Sequence, residues 1–167
     1  MDAMSRTDVE GLERRLQKLE DIEAIRQLKY RYLRACDRKQ PDVVRDCFIP
    51  DGAFIDAANM GVHEGRDSFI NIFTEIGCRD DVIDMHHGQN GVIDITGQNE
   101  AHASWDLFFH TIHLATRMAV QVAGYYEDDY VRRDGRWWIS KSVFRVASTL
   151  MLEVKEDGEI RNLLLGR

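Results

Sequence analysis

The residues whose types could move a proton cluster at three places in the chain. Asp37 stands near the end of a long helical pattern, His86 and His87 open a later segment, and Asp106 and His110 lie on the segment after it. A carboxylate beside an imidazole fixes the tautomer of the ring and raises its basicity, so that the ring removes a proton near neutral pH. Such a pair performs general acid–base chemistry and supplies no nucleophile. His86 and His87 are adjacent, and adjacent strand residues point to opposite faces, so only one of them can enter a shared pocket. His86 precedes Asn90 by four residues. By residue type alone, each candidate has an ordinary alternative: a solvated Asp at a helix end, or a His satisfied by backbone.

Asp106 shares one strand face with Ser104, Phe108 and His110, while Trp105, Leu107 and Phe109 take the other. A charged residue set among aromatics marks Asp106 as a candidate, with His110 as its competitor for the pocket. Tyr30, Tyr125, Tyr126 and Tyr130 could each hydrogen-bond a carbonyl, but a core Tyr with a satisfied hydroxyl is the commoner case and none is singled out. His86, His87, His110 and His113 do not read as a metal site. The H-x-x-H spacing suits a helix, this segment reads as strand, and no carboxylate or Cys completes a set. Cys36, Cys47 and Cys78 form no C-x-x-C pair and read as reduced, buried thiols.

These residues need elements to hold them. Leu12, Leu16, Leu19, Ile22, Ile25, Leu28 and Tyr32 recur at helical steps, predicting one amphipathic helix ended by Pro41. Tyr30, Leu33 and Asp37 fall roughly on one of its faces. A short helix over Pro41 to Phe48, a turn at Asp51-Gly52, a strand over Ala53 to Ala57 and a loop over Gly61 to Gly65 follow. Arg66 to Ile76 reads as a third helix with Phe69, Ile70 and Phe73 inward. Strands are predicted over Met85 to Ile95, Ala101 to His113, Met118 to Arg132 and Trp137 to Leu152, with turns at Gly97-Gln98-Asn99 and Asp134-Gly135. Leu114 to Arg117 reads as a connection, and Glu159 to Leu165 as a last short strand or a tail packed on a partner. Helices first and a long sheet afterwards make an α+β order, and apolar residues on both strand faces ask for a sheet curled around helices.

The chain has 167 residues, the size of one domain, and its 22 basic against 29 acidic residues give a net charge of −7. That balance argues against nucleic acid as a partner. The apolar runs are too short for a membrane helix, and the polar start from Met1 to Asp8 has no signal-peptide core, so a cytoplasmic protein is expected. Residues 1–11 are expected to form a flexible or partner-packed arm, and the wide sheet points to a homodimer or homotrimer.

Five segments together resemble the SnoaL-like branch of the NTF2-like superfamily: Ile25 to Asp37, Phe48 to Ile55, Glu64 to Ile70, His86 to Gly97 and Tyr125 to Ile139. The branch includes polyketide cyclases, scytalone dehydratase, bile-acid dehydratase and a dehydrochlorinase. The resemblance implies a cone in which a curved sheet and packed helices enclose one ligand pocket. It also implies a cofactor-independent lyase or isomerase for a hydroxylated cyclic, steroid-like or polyketide-like ketone. Asp37 occupies the position of the family's catalytic Asp, five residues after a Tyr or Lys that Tyr32 matches. The family's catalytic His stands before a similar Asn as His86 stands before Asn90, which selects His86 over His87. Asp106 falls near an Asp of the bile-acid dehydratase branch. The resemblance therefore implies Asp37, His86, Tyr32 and Asp106 as catalytic, with His110 and Asn90 binding substrate and neither metal nor cofactor. Trp137 and Trp138 match a strand aromatic that packs. Ser142 stands where the dehydrochlorinase has an Arg, which disfavours halide elimination. The fold also carries non-catalytic binding proteins and the small, scaffolding subunit of ring-hydroxylating dioxygenases.

Overall fold

The computed structural model describes residues 6–166. Helix α1 runs over Arg6–Asp37, so residues 6–11 of the expected arm are its first turns and residues 1–5 lie outside the described part. The apolar stripe changes role along its length. Ile25, Leu28, Tyr32, Leu33 and Cys36 are buried, whereas Val9, Leu12, Leu16 and Leu19 are exposed. Only the C-terminal half of α1 is covered by the rest of the chain. The helix stops before Pro41 because Lys39 takes a positive φ of 54°, and Gln40 N–H returns to the Ala35 carbonyl at 3.0 Å. Helix α2, Pro41–Arg45, starts on that proline.

Strands β1, Phe54–Asp56, and β2, Val62–Glu64, form a small antiparallel pair around a 3-10 turn at Ala58–Met60. The loop expected at Gly61 to Gly65 is thus mostly strand. Helix α3, Arg66–Ile76, buries Phe69, Ile70 and Phe73 as the periodicity predicts. Four long strands follow: β3, Val82–Ile95; β4, Glu100–His113; β5, Met118–Arg133; and β6, Arg136–Val154. The last strand is β7, Ile160–Gly166. The sheet order is β2-β1-β6-β5-β4-β3, with β7 also on β6, and only the β1–β6 pairing is parallel. This is the α+β architecture expected from the element order. Among the described residues, no helix is long and apolar enough to cross a membrane.

Bulges bend the sheet into its curve. In β6, Lys141 pairs with Asp129 and Ile139 with Tyr130, which leaves Ser140 as an extra residue. The insertion flips the side-chain parity: Trp137 and Ile139 are buried before it, and Ser142 is buried after it. In β3 the register slips between Gln89 and Val92, with Asn90 at φ 52°. Here the backbone passes close to the core. A Cβ on Gly91 would sit 2.2 Å from the Trp105 ring, and one on Gly88 would sit 2.5 Å from a Leu33 methyl.

The concave side holds α1 and α3, but among the described residues nothing covers the convex side. Ile83, Met85, Val92, Phe108 and Tyr125 are exposed. On the same face, half-buried His102 lies between two carboxylates, with Nδ1 2.8 Å from Asp129 and Nε2 2.9 Å from Glu127, while Lys141 approaches Asp129 at 3.8 Å. The bond to Asp129, with the bond to Glu127 adding to it, raises the His102 pKa above its ordinary value. A raised folded pKa means that the stabilisation is complete below the unfolded value of about 6.5 and is lost as pH rises through the folded value. The pair is half exposed, so its worth is below about 1 kcal/mol. Scanning calorimetry across that window should show the wild-type melting temperature falling relative to His102→Gln by a few degrees at most. Parallel curves for the two proteins would remove this role.

Candidate active site

The end of α1, the start of β3 and the middle of β4 meet at His86. Its Nδ1 lies 2.6 Å from Asp37 Oδ1, and its backbone N–H donates to the same oxygen at 3.0 Å. Two donors on one carboxylate oxygen fix both the ring and the strand against the helix end. Phe109, the cross-strand partner of His86, packs on the ring with centroids 4.4 Å apart. With an ionised Asp37, the bonded Nδ1 carries the proton, and Nε2 presents its lone pair.

His86 lines a cavity of ≈ 190 Å³, together with Tyr32, Cys36, Phe69, Phe73, Leu107, Phe109, Tyr126, Ser142 and Phe144 among others. A closed apolar cavity of about 150 Å³ holds benzene, so this one has room for a cyclic ligand. Asp37 does not line it. It stands behind His86 in a shallow outer depression shared with Arg34 and His87. Five helical residues turn through about 140°, so Tyr32 and Asp37 cannot share one face. The structure meets that constraint by placing Tyr32 on the cavity and reaching Asp37 only through the imidazole. Burial pushes the Tyr32 and Tyr126 hydroxyls well above the usual phenol range, leaving both as neutral donors. Burial likewise pushes the Cys47 thiol up to about 11, and Cys36 higher still, so neither is a ready nucleophile. Cys36 and Cys47 are buried and Cys78 is half-buried, all as free thiols.

Three residues expected in the pocket do not line it. Asp106 is exposed and accepts a 2.7 Å bond from Asn90 Nδ2. The parity of β4 sends Trp105 and Leu107 into the core and Phe109 to the cavity, which turns Asp106 and His110 to the convex face. Asn90 sits in the β3 bulge on that same side. His110 is half-buried there, and its Nδ1 is buried without a hydrogen bond among the described residues. His87 is exposed, on the face opposite His86. Among the described residues, no group of three or more His, Cys, Asp or Glu could hold a metal ion.

A polar network missed by residue-type reasoning lies under the cavity. Lys29 and Asp128 are fully buried and paired at 2.7 Å. Asp128 also accepts from the Tyr130 hydroxyl at 2.9 Å and from Ser142 Oγ at 2.7 Å, and Trp105 Nε1 donates to Tyr130 at 3.2 Å. Burial pushes the Lys29 pKa down, and Asp128 opposes that shift. One signal was present: Lys29 falls four residues after Ile25 and four before Leu33, on the buried stripe of α1.

Comparison with known proteins gives the same architecture. The SnoaL-like domain model matches residues 17–143. A candidate scytalone dehydratase from Novosphingobium aromaticivorans superposes with a TM-score of 0.72 at 23% identity, covering 79% of this chain and 87% of that one. LinA superposes at 0.74 with 20% identity, covering 80% and 90%. The hexachlorocyclohexane dehydrochlorinase LinA-type3 from Novosphingobium barchaimii superposes at 0.71 with 19% identity, covering 89% and 93%. At these identities the likeness is one of fold.

Proposed function

The chain belongs to the SnoaL-like family, and from that premise we propose that it is a cofactor-independent lyase or isomerase of the dehydratase type, acting on a hydroxylated cyclic ketone. The observation that carries the reading is the 2.6 Å bond between His86 Nδ1 and Asp37, on a His that lines an apolar cavity. His86 Nε2 takes the proton α to the carbonyl, and Asp37 stabilises the imidazolium that forms. Tyr32 donates to the carbonyl oxygen as it gains enolate charge. In the second half of the reaction the enolate reforms the carbonyl and expels the β-hydroxyl, which takes the proton held on His86 and leaves as water. The C–H and C–O bonds broken are thereby balanced by a new C=C bond and one water. The apolar walls exclude solvent from the charged intermediate, where fixed dipoles act most strongly.

The mostly apolar lining also favours a second reading, a binding protein that only sequesters such a ligand. A panel of cyclic β-hydroxy ketones, incubated with the protein and excess chelator, separates the two. Growth of enone absorbance in the ultraviolet, catalytic in protein, is the expected result. Stoichiometric binding with no turnover of any member would leave the sequestering role instead.

A further inference from the structure

Among the described residues, two carboxylates line the cavity, and only one of them is engaged. Asp56 accepts from the Ala58 N–H at 3.3 Å and pairs with Arg145. Asp84 is half-buried and has neither a hydrogen bond nor an ion pair among the described residues. It lies two residues before His86 on β3, so both side chains take the concave face, about 6.5 Å apart along the strand. Directly across the ladder stands Thr111 of β4, which is 5% exposed. Opposed residues of an antiparallel pair share a face, with Cβ atoms roughly 4.5–5.5 Å apart. Thr111 Oγ1 is buried without a hydrogen bond among the described residues, and its other cross-strand partner, Val120, has no polar side chain to offer. An acceptor without a donor thus faces a hydroxyl without a partner, each two residues along its strand from a side chain, His86 or Phe109, that lines the cavity. Buried hydroxyls in folded proteins are bonded in the large majority of cases, so this one points to a partner that the chain itself does not supply.

We propose that Asp84 and Thr111 form a hydroxyl subsite, and that the ligand of this cavity carries a second, non-reacting hydroxyl seated there. This rests on reading the cavity as the site of a hydroxylated cyclic ketone and adds where a hydroxyl outside the reacting carbons is held. A ligand hydroxyl has one proton and two lone pairs, so it donates to the Asp84 carboxylate and accepts from Thr111 at the same time. A ketone or ether oxygen placed there meets the lone pairs of the carboxylate, and an anionic oxygen meets its charge, so both are rejected. The subsite therefore selects by repulsion as well as by attraction. It also separates two kinds of hydroxyl on the substrate. A carboxylate that accepts from a hydroxyl adds electron density to its oxygen and does not help it to leave. Asp84 thus suits a hydroxyl that stays in the product, whereas the one expelled as water is the one reached by the proton on His86. The spacing of Asp84 and His86 along β3 sets the retained hydroxyl several atoms away from the carbon that loses its proton. Asp84 and Thr111 decide which ring is held and take no part in the proton transfer.

The test is made in the His86→Ala background, where the imidazole no longer competes as an acceptor, with phenol as the donor probe and anisole as its methylated analogue. Binding is measured by calorimetry near neutral pH, where phenol is uncharged. His86→Ala should bind phenol about tenfold more tightly than anisole, the value of one hydrogen bond to a charged group. Adding Asp84→Leu should remove that preference by weakening phenol alone. Adding Asp84→Asn instead should narrow it from both sides, because an amide is a weaker acceptor for phenol and offers a donor to the anisole oxygen. That variant keeps the shape of the side chain and takes the place of Asp84→Leu should the latter fail to fold. Adding Thr111→Val should weaken phenol by roughly two- to tenfold and leave anisole unchanged, as for the loss of one neutral hydrogen bond. None of these measurements involves turnover, so a failure of the proton-transfer reading would leave their result standing. Equal affinity for the two probes in His86→Ala, a phenol preference that survives Asp84→Leu, or an equal loss for both probes would overturn the proposal.

Discussion

His86→Ala is expected to lower turnover by about 10² to 10⁴, the range for loss of a general base, with little change in melting temperature. The small stability cost follows from the position of the ring at the cavity wall, outside the fully buried core. Asp37→Asn should also be slow, since a neutral amide neither stabilises the imidazolium nor holds the proton on Nδ1. The decisive comparison is the double variant. Asp37 touches the reaction only through His86, so His86→Ala/Asp37→Asn should be scarcely slower than His86→Ala alone. Additive losses would mean that Asp37 acts elsewhere. His87→Ala is the control, because His87 is exposed on the opposite strand face. If it abolished activity while His86→Ala did not, the base would have to be assigned to His87.

The second large effect is on stability. Lys29→Met should destabilise the fold by about 3–5 kcal/mol, because it strands the fully buried Asp128 carboxylate without its charge partner. For a chain of this size that corresponds to roughly 6–20 °C in melting temperature. Adding Asp128→Asn to Lys29→Met should recover much of the loss, since the stranded charge is the main cost and Asn still accepts from Tyr130 or Ser142. Calorimetric melting of the three proteins decides it. A single variant as stable as wild type, or a double variant worse than the single, would show that the pair is not the electrostatic centre of this core.

Local patterns were legible wherever the controlling forces act over a few residues. The 3.6-residue period located α1 and α3, and Asp134-Gly135, both at positive φ, marked the β5–β6 turn. The α+β class followed from the order of these elements, and the quoted segments were sufficient for the family. Within the site, Asp37, His86 and Tyr32 were named by resemblance, because nothing local links residues 49 positions apart.

Strand parity marks the limit of this kind of reading. Alternation sorts Trp105 from Asp106 but does not say which set faces the helices, and so Asp106, His110 and Asn90 were placed in a pocket they do not line. A single inserted residue, such as Ser140, exchanges inside for outside along the rest of a strand, and it is revealed only by the partner against which it is counted. The Lys29–Asp128 pair, 99 residues apart, is of the same kind. Most of the elements, their order and the supply of proton-moving side chains could be read along the chain, since these depend on short-range geometry and composition, while the loop expected at Gly61 to Gly65 became β2 through its pairing with β1 and the family was read from the resemblance of five segments. Only the tertiary structure decided which of those side chains meet, which face the cavity and which two charges lie beneath it, because register, curvature and burial arise from pairings between distant parts of the chain.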